Sequence, residues 1–428
     1  MRILHTADWH LGAQLHEQSR LPEQEEFLKW MLRTMDQEKP DALLIAGDVF
    51  DSCAPSNAAL NLYYEFLSAV FRHCLCRRVV VVGGNHDSPS LLDAPGNVLD
   101  HIGTRVVGGV AYPKGNGDGR IPDHRNEVVV VEDSGGRPGL VIGAVPYLRD
   151  TDLRTSAAQE SDEVRAEKRR IGFQQHYHAI ADLARRECST PGEPLPLVLT
   201  GHLFLAGGFT AAEKSERDLQ VGNLTAFEPA LLPPADYYAF GHLHSPQAIG
   251  GRETCRYSGS PLRMNFGEAH QEKSIVIVDL SPGLDPVVRR VPVPQTQRIE
   301  QLTGTPEAIA SMLKELVASG VGAWVDVQVT EGEGDLTPWM HTEFPGLVEG
   351  TEVRLLRRQN ARPGRAATTL AAAVADEAVL DSFSPGDLFR MRLSDEDLTR
   401  EEKDAYASML DEILREMDEA EGGKEQGR

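Results

Sequence analysis

The sequence predicts an α/β fold with helices on both faces of a β-sheet. Short apolar runs that end at Gly or Asp alternate with helical patterns along the first part of the chain. Near-continuous apolar strands that are separated by helices indicate a sheet covered on both faces. The later strands follow one another more closely. We therefore expect either one mixed sheet or two sheets packed as a sandwich between helix layers.

The apolar pattern also predicts where these elements lie. Strands are expected at residues 2–6, 42–46, 79–82, 128–131, 140–145, 197–200, 237–240 and 275–279. Helices are expected at residues 23–38 and 58–72, between the first of these strands. No apolar run approaches the roughly 20 residues that a membrane-spanning helix needs.

Pro- and Gly-rich segments at 281–286 and 292–294 predict a domain boundary, because both residue types interrupt regular structure. A smaller α+β unit is expected after it, with a helix near 305–319 and strands near 323–330 and 352–357. The predicted organisation is a first domain at 1–280, an α+β domain at 283–360, a linker at 361–380 and a helical segment at 381–428.

The chain of 428 residues carries five cysteines, an odd number without a C-x-x-C pair, which favours reduced and mostly buried thiols. Its first residues are too polar for a signal peptide. We expect a cytoplasmic protein with no membrane segment.

Five short polar motifs each follow a predicted strand. They are Asp8-x-His10, Gly47-Asp48-x-x-Asp51, Gly84-Asn85-His86-Asp87, Gly201-His202 and Gly241-His242-x-His244. In open α/β sheets, ligands bind at the carboxyl ends of the strands. Side chains two residues apart on a strand point the same way, so Asp8 with His10, and His242 with His244, are each expected to share a face.

Seven side chains of these motifs are oxygen or nitrogen donors: Asp8, His10, Asp48, Asn85, His202, His242 and His244. Seven donors are too many for one divalent ion, but they suffice for two ions that share a bridging carboxylate. Mixed imidazole and carboxylate donors without thiolate suit manganese, iron or zinc better than magnesium or calcium. Two ions about 3.5–4 Å apart are a standard arrangement for displacement at phosphorus.

The motifs, in this order and spacing, resemble the calcineurin-like metallophosphoesterase superfamily. Residues 1–12, 46–51, 84–87, 258–262 and 384–390 are more closely similar to the SbcD family of bacterial double-strand-break repair nucleases. The resemblance implies a four-layer α-β-β-α sandwich, a smaller α+β capping domain and a C-terminal helical segment. It covers residues 1 to about 280 strongly and the remainder loosely.

The resemblance also implies the roles of the motif residues. Asp8, His10 and His244 would bind one metal ion, Asn85, His202 and His242 the other, and Asp48 would bridge them. A water or hydroxide between the ions would attack a DNA phosphodiester, and His86 would protonate the leaving oxygen. We hypothesise that Asp51 orients His86 as a carboxylate partner does for a general acid.

The family further implies the metal, the partners and the substrate. The cofactors would be two divalent ions, with Mn²⁺ favoured. The substrates would be DNA double-strand ends and single-stranded or hairpin DNA. An SbcC-like coiled-coil ATPase would dock on the C-terminal helices in a heterotetramer with two copies of each protein, and the nuclease domains would form a dimer. The sequence contains no G-x-x-x-x-G-K-[ST] loop, so ATP dependence would belong to the partner.

The net charge of −22 argues against a nucleic-acid binder when taken alone. Residues 395–428 hold 13 acidic and five basic residues, so that segment supplies −8 of the total. Bound divalent cations would also add positive charge where an anionic substrate meets the protein. The remaining negative charge suggests that a basic partner makes many of the contacts to DNA.

Two other functions remain open from the sequence. A phosphoesterase of the same fold could act on nucleotides or phosphoproteins, although such phosphatases characteristically carry Glu where this chain has Asp87. A catalytically silent DNA-end tether is a third possibility, and the intact set of donors argues against it. Outside the motifs, His176 and His178 lie in a helical pattern and are expected at the surface.

Overall fold

The computed structural model describes residues 1–113, 121–154, 161–188, 194–207, 226–332 and 336–361. Its first six-stranded sheet contains β1 (Arg2–Thr6), β4 (Ala42–Ala46), β5 (Arg78–Val82), β6 (Thr104–Val107), β13 (Ser274–Asp279) and β14 (Val287–Pro292). The strand order is β14-β13-β1-β4-β5-β6. Strands β1, β4, β5 and β6 run parallel to one another, whereas β13 and β14 are antiparallel to their neighbours.

The second six-stranded sheet contains β7 (Val128–Glu132), β8 (Pro138–Ala144), β9 (Leu197–His202), β10 (Tyr237–Gly241), β11 (Gln247–Ile249) and β12 (Arg252–Tyr257). The strand order is β11-β12-β10-β9-β8-β7. Strands β8, β9, β10 and β12 run parallel, and β7 and β11 are antiparallel edge strands. A short hairpin, β2 (Gln14–Leu15) with β3 (Gln18–Ser19), stands apart from both sheets.

Helices cover the outer face of each sheet. The α-helices of this part are α1 (Leu21–Glu38), α2 (Asn57–Arg72), α3 (Pro89–Asp93), α4 (Gly96–His101), α5 (Asp150–Leu153) and α6 (Asp162–Cys188). Helices α1 and α2 pack with the first sheet in one apolar cluster, and α6 packs with the second sheet in another. Among the helices that the structure describes, none combines the length and the apolar character needed to cross a lipid bilayer.

A third apolar cluster lies between the sheets and joins them face to face. On β4, Leu43 and Ile45 belong to the helix-side cluster, whereas Ala42 and Leu44 belong to the inter-sheet cluster. Successive strand residues face opposite sides, so a strand buried on both faces must be apolar throughout. The architecture is therefore the four-layer α-β-β-α sandwich, and the alternative of a single mixed sheet is wrong.

The chain divides into two compact units at Gln301/Leu302. The second unit contains β16 (Ala323–Val329) and β17 (Val353–Asn360), with helices α7 (Pro306–Ala318) and α8 (Phe344–Val348). Strand β15 (Arg298–Gly304) crosses the boundary and completes a three-stranded sheet with them, in the order β15-β16-β17. Helix α7 begins where expected, because the Thr305 hydroxyl accepts a hydrogen bond from the Ala308 amide at 3.3 Å. Beyond residue 361, the predicted linker and helical segment 381–428 lie outside the described residues.

Two expectations about individual side chains are wrong. His176 is buried, with 5% of its surface exposed, because its side of α6 packs toward Glu127 rather than solvent. Cys53 and Cys74 are exposed instead of buried. Cys53 lies in the loop between β4 and α2, and Cys74 lies in the loop between α2 and β5. In such loops the sequence pattern carries little information about burial.

Candidate metal centre

All five motifs lie at one edge of the sandwich, at the carboxyl ends of β1, β4, β5, β9 and β10. The edges of the two sheets meet there. The His202 Nδ1–H donates to the Ala46 carbonyl at 3.0 Å, and the His242 amide donates to Asp8 Oδ1 at 2.9 Å. Each of these hydrogen bonds links a motif of the second sheet to the first sheet. Face-to-face packing of the sheets thus assembles the site.

The backbone of the site is strained at four polar residues. The φ angles are 54° at Asp8, 44° at His10, 48° at Asp48 and 107° at His242. Residues other than glycine rarely adopt positive φ, and clusters of such residues occur at functional sites. The two-residue period of a strand does not apply to Asp8 and His10, because β1 ends at Thr6. The reason for which they were expected to share a face is therefore wrong.

Two motif glycines are required by close approach of neighbouring polar side chains. A Cβ at Gly47 would lie 2.2 Å from His202 Nδ1, and a Cβ at Gly84 would lie 2.1 Å from Asp48 Oδ1. No side chain fits within those distances without moving the polar group. The glycines before these motifs therefore make room for the donors as well as turning the chain.

The first donor cluster contains Asp8, His10 and His244, whose donor atoms lie within 4.8 Å of one another. His10 Nε2 and His244 Nε2 face each other at 3.2 Å. Asp8 is fully buried, and its Oδ2 has no hydrogen-bond partner among the described residues. A buried carboxylate oxygen without a partner is costly unless a cation or proton shares its site.

The second donor cluster contains Asn85, His202 and His242. Asn85 Oδ1 lies 2.9 Å from His202 Nε2 and 3.0 Å from His242 Nδ1. The expectation that His242 and His244 share a face is wrong: His244 belongs to the first cluster and His242 to the second. Strand β10 ends at Gly241, so the two-residue period no longer applies after it.

Asp48 lies between the two clusters. Its Oδ2 is 3.2 Å from His202 Nε2 and 3.6 Å from His10 Nε2, while Oδ1 accepts the His86 amide at 2.9 Å. Burial raises the pKa of the Asp48 carboxyl, but the nearby imidazoles outweigh burial and hold the pKa below its usual range. Asp48 is therefore a charged carboxylate with one donor cluster on each side.

The donor chemistry fits two divalent cations. Because His202 uses its Nδ1–H for the Ala46 carbonyl, the neutral ring presents a lone pair on Nε2 toward Asn85 Oδ1 and Asp48 Oδ2. Lone pairs that converge in this way need a cation, or failing that a proton, between them. Burial lowers the pKa of His202, yet Asp48 outweighs it and raises the pKa to about 9. The His/Asp clusters can thus hold a dimetal site.

His86 lies beside these clusters, and its ring is held by main chain. Its Nδ1–H donates to the main-chain carbonyl of Asp51 at 2.9 Å, which leaves Nε2 free to exchange a proton. The Asp51 carboxylate lies 3.4 Å from His10 Nδ1. Substitution of the Asp51 side chain would leave the carbonyl that orients His86 in place.

Asp87 holds two of the motifs together, a role that the motif pattern alone does not reveal. Its carboxylate accepts hydrogen bonds from the amides of Val49, Phe50 and Gly84 at 2.9–3.1 Å. Burial and the Asp48 charge raise its pKa to about 6, against these three amide donors. The only sequence signal is its position at the end of the Gly84–Asp87 motif.

Glu268 and Lys273 form a buried ion pair behind His244, and the sequence does not predict it. Lys273 Nζ donates to Glu268 Oε2 at 2.5 Å and to the His244 carbonyl at 2.9 Å. Glu268 Oε1 lies 3.6 Å from His244 Nδ1. Such carboxylate contacts orient metal-binding histidines. Neither residue follows a strand-end pattern, so nothing local in the sequence identifies them.

Two family models match the chain. One described as calcineurin-like phosphoesterase matches residues 1–246, and one described as type 5 capsule protein repressor C-terminal domain matches residues 295–397.

The chain is also similar to curated proteins named as the SbcD component of nuclease SbcCD. The protein from Escherichia coli (strain K12) is 33% identical over 411 residues, covering 93% of this chain and 94% of its own. That from Bacillus subtilis (strain 168) is 32% identical over 370 residues, covering 85% and 84%. That from Rhodobacter capsulatus is 35% identical over 300 residues, covering 69% and 70%.

Among solved structures, a dimetal phosphatase from Danio rerio is 12% identical with a TM-score of 0.35, covering 69% of this chain and 99% of its own. A phosphopantetheinyl hydrolase from Mycobacterium tuberculosis is 16% identical with a TM-score of 0.29, covering 60% and 89%. At TM-scores this low, the two likenesses decide nothing about fold or function.

Replacing Asp51 by Asn should weaken metal binding more than proton transfer. The substitution removes the charge beside His10 Nδ1 but keeps the carbonyl that holds His86. Loss of such a partner typically lowers metal affinity about 10–100-fold. Metal titration of phosphodiester hydrolysis should show a raised activation constant with kcat nearly restored at saturating metal. An unchanged activation constant with an altered kcat–pH profile would instead support direct action of the carboxylate on His86.

Replacing Glu268 by Gln should destabilise the protein strongly. The change leaves the Lys273 ammonium buried without its counter-charge, and breaking a buried pair costs about 3–5 kcal/mol. The control is Glu26→Gln, which removes an exposed pair with Lys29, worth about 0–1 kcal/mol. Urea unfolding of both variants measures the difference. Equal losses would mean that the buried pair adds no stability.

Proposed function

Since the chain belongs to the SbcD family of calcineurin-like phosphoesterases, we infer that it is a metal-dependent DNA nuclease that acts with an SbcC-like ATPase. The observation that carries this inference is the complete donor set at one edge of the sandwich. Seven oxygen and nitrogen donors converge there from both sheets, and His86 lies beside them.

We assign the two donor clusters to two metal ions, with Asp48 shared between them. The mixture of carboxylate, amide and imidazole donors is compatible with Mn²⁺, which we propose as the ion. Two such ions, when bound, supply Lewis-acid activation of water and of the scissile phosphate group. The chain's own part is to keep Asp48 charged, to hold the imidazoles by hydrogen bonds such as that from His202 to Ala46, and to exclude competing side chains.

His86 is the general acid of the proposed mechanism. Its Nδ1–H is engaged by the Asp51 carbonyl, so the proton for the leaving oxygen is carried on Nε2. The His86 amide is tied to Asp48 Oδ1, which fixes the ring relative to the shared carboxylate. Both contacts use groups that do not change on protonation of the ring, so the position of His86 is kept through the reaction.

Arg149 is a candidate contact for the substrate phosphate. The Arg149 Nη2 donates to the main-chain oxygen of Asp87 at 3.5 Å, and Asp87 follows His86 directly in the chain. The Arg149 guanidinium has no carboxylate partner among the described residues. The main-chain amide of neighbouring Tyr147 donates a 2.8 Å hydrogen bond to the Gly83 carbonyl, which anchors this loop. A guanidinium binds phosphate oxygens in bidentate geometry, so Arg149 would add a positive charge close to His86.

The wider assembly is part of the same proposal. We propose double-strand exonuclease activity together with single-strand and hairpin endonuclease activity in double-strand-break processing. The predicted α+β domain at 283–360, of which the structure places residues 302–360 in the second unit, would shape the DNA groove, and the segment 381–428 would bind the ATPase. The heterotetramer with two copies of each protein, the dimer of nuclease domains and the cytoplasmic location stay predictions.

Replacing His86 by Ala should abolish most DNA cleavage while metal content stays that of the wild type. General-acid catalysis contributes about 10²–10⁴-fold, so kcat should fall by that factor. The measurement is Mn²⁺-dependent degradation of linear double-stranded DNA with metal analysis of both proteins. Brisk hydrolysis of a small phosphate ester by the wild type without DNA cleavage would favour a phosphatase, and DNA binding without any hydrolysis would favour a tether.

Replacing Arg149 by Ala should weaken DNA binding without changing metal content. A hydrogen bond to a charged group contributes about 1.5–3 kcal/mol, which corresponds to a KM raised roughly 10–100-fold. Arg137→Ala is the matched control, because that side chain is 81% exposed on the β7–β8 turn. If the two variants had the same KM for DNA, the proposed phosphate contact would be wrong.

A further inference from the structure

A second cluster of histidine and carboxylate side chains lies outside the metal centre. His124 and Glu127 are on a 3-10 turn (His124–Glu127) that leads into β7, and His176 is on α6. Strand β7 is the outer strand of the second sheet, two strands from β9, which carries His202. The three residues of this cluster have no role in the proposed nuclease mechanism.

The donor atoms of this cluster converge as closely as those of the metal centre. Glu127 Oε1 lies 3.1 Å from His124 Nδ1, and Glu127 Oε2 lies 2.7 Å from His176 Nε2. The imidazole rings meet edge to face with centroids 4.6 Å apart. One donor atom from each residue lies within 4.8 Å of the other two, as in the Asp8–His10–His244 cluster.

Burial makes this cluster different from a surface ion pair. The Glu127 side chain is 0% exposed and that of His176 3% exposed, while that of His124 is 19% exposed. Burial raises the pKa of the Glu127 carboxyl, but hydrogen bonds from both histidines outweigh burial and lower it. A fully buried carboxylate needs positive charge beside it. Either protons on the imidazoles or a divalent cation can supply that charge.

The donor types favour a cation of a particular class. Two imidazoles and one carboxylate, without thiolate, form a three-residue ligand set that suits Zn²⁺ and related transition metals. The His124 side chain is partly exposed, which provides an entry path for an ion from solvent. The turn and α6 are separated by a long stretch of chain, so an ion there would join the helix layer to the edge of the sheet.

We propose that His124, Glu127 and His176 bind a third divalent transition-metal ion of the zinc class, separate from the two ions of the nuclease centre. Such an ion would link α6 to the turn that leads into β7. The proposal does not depend on the nuclease function, because it concerns three residues that the catalytic site does not use.

The test is a count of bound zinc in the full-length protein. The chain is stripped with a chelator, reconstituted with Zn²⁺, dialysed, and analysed by mass spectrometry for metal per chain. The variant is His124→Ala, which removes the most exposed donor and leaves the His176–Glu127 pair intact. The control is His178→Ala, a half-buried histidine two residues from His176 on the same helix.

We expect His124→Ala to bind one equivalent fewer than both the wild type and His178→Ala. Zinc should also raise the Tm of the wild type more than that of His124→Ala. Equal zinc content in all three proteins would overturn the proposal and leave the cluster as a proton-sharing ion triad. Because the readout is a difference between variants, it stands even if the nuclease centre binds fewer than two ions or cleaves no DNA.

Discussion

The buried carboxylate of Asp48 is the interaction on which the rest of the site depends. One oxygen accepts the His86 amide at 2.9 Å, and the other lies between His10 and His202. These groups come from β1, β4, β5 and β9, so the carboxylate is held only if both sheets keep their relative position. The apolar cluster between the sheets therefore stabilises the catalytic geometry as well as the fold.

The site stores conformational strain that this packing must hold. Four polar residues have positive φ, and each such residue costs on the order of 1–3 kcal/mol. The surrounding hydrogen bonds, such as those from the Asp8 amide to Gly47 and from the His10 amide to Asp48, keep the strained loops in place. The strained backbone holds the donor side chains in converging positions, from which the carboxylates and imidazoles would otherwise move apart.

The chain is strongly acidic, yet its proposed substrate is a nucleic acid. The local pairing of charges near the site explains how both can hold. The net charge is −22, yet much of the acidity near the site is used internally. Asp8 and Asp48 face imidazoles, Asp87 binds three backbone amides, and Glu268 is paired with Lys273. In the proposed mechanism, two divalent ions and Arg149 would add positive charge where a phosphate meets the site.

The sequence by itself determined the fold class and the positions of eight of the twelve strands in the two six-stranded sheets, but it missed β6, β11, β12 and β14. It also pointed to the seven candidate donors, because Gly, His, Asp and Asn at fixed spacing after apolar strands are a local pattern. The residue pattern alone left open one mixed sheet or two, and it placed His242 and His244 on one face. The family resemblance implied the sandwich and the division of the two histidines, and the tertiary structure agrees with both. Only the tertiary structure decided that the His86 ring is held by the Asp51 carbonyl. It also revealed Glu268 with Lys273, and the burial of His176. These features depend on the sign of φ beyond a strand end and on packing between residues far apart in the chain, and no local pattern encodes either.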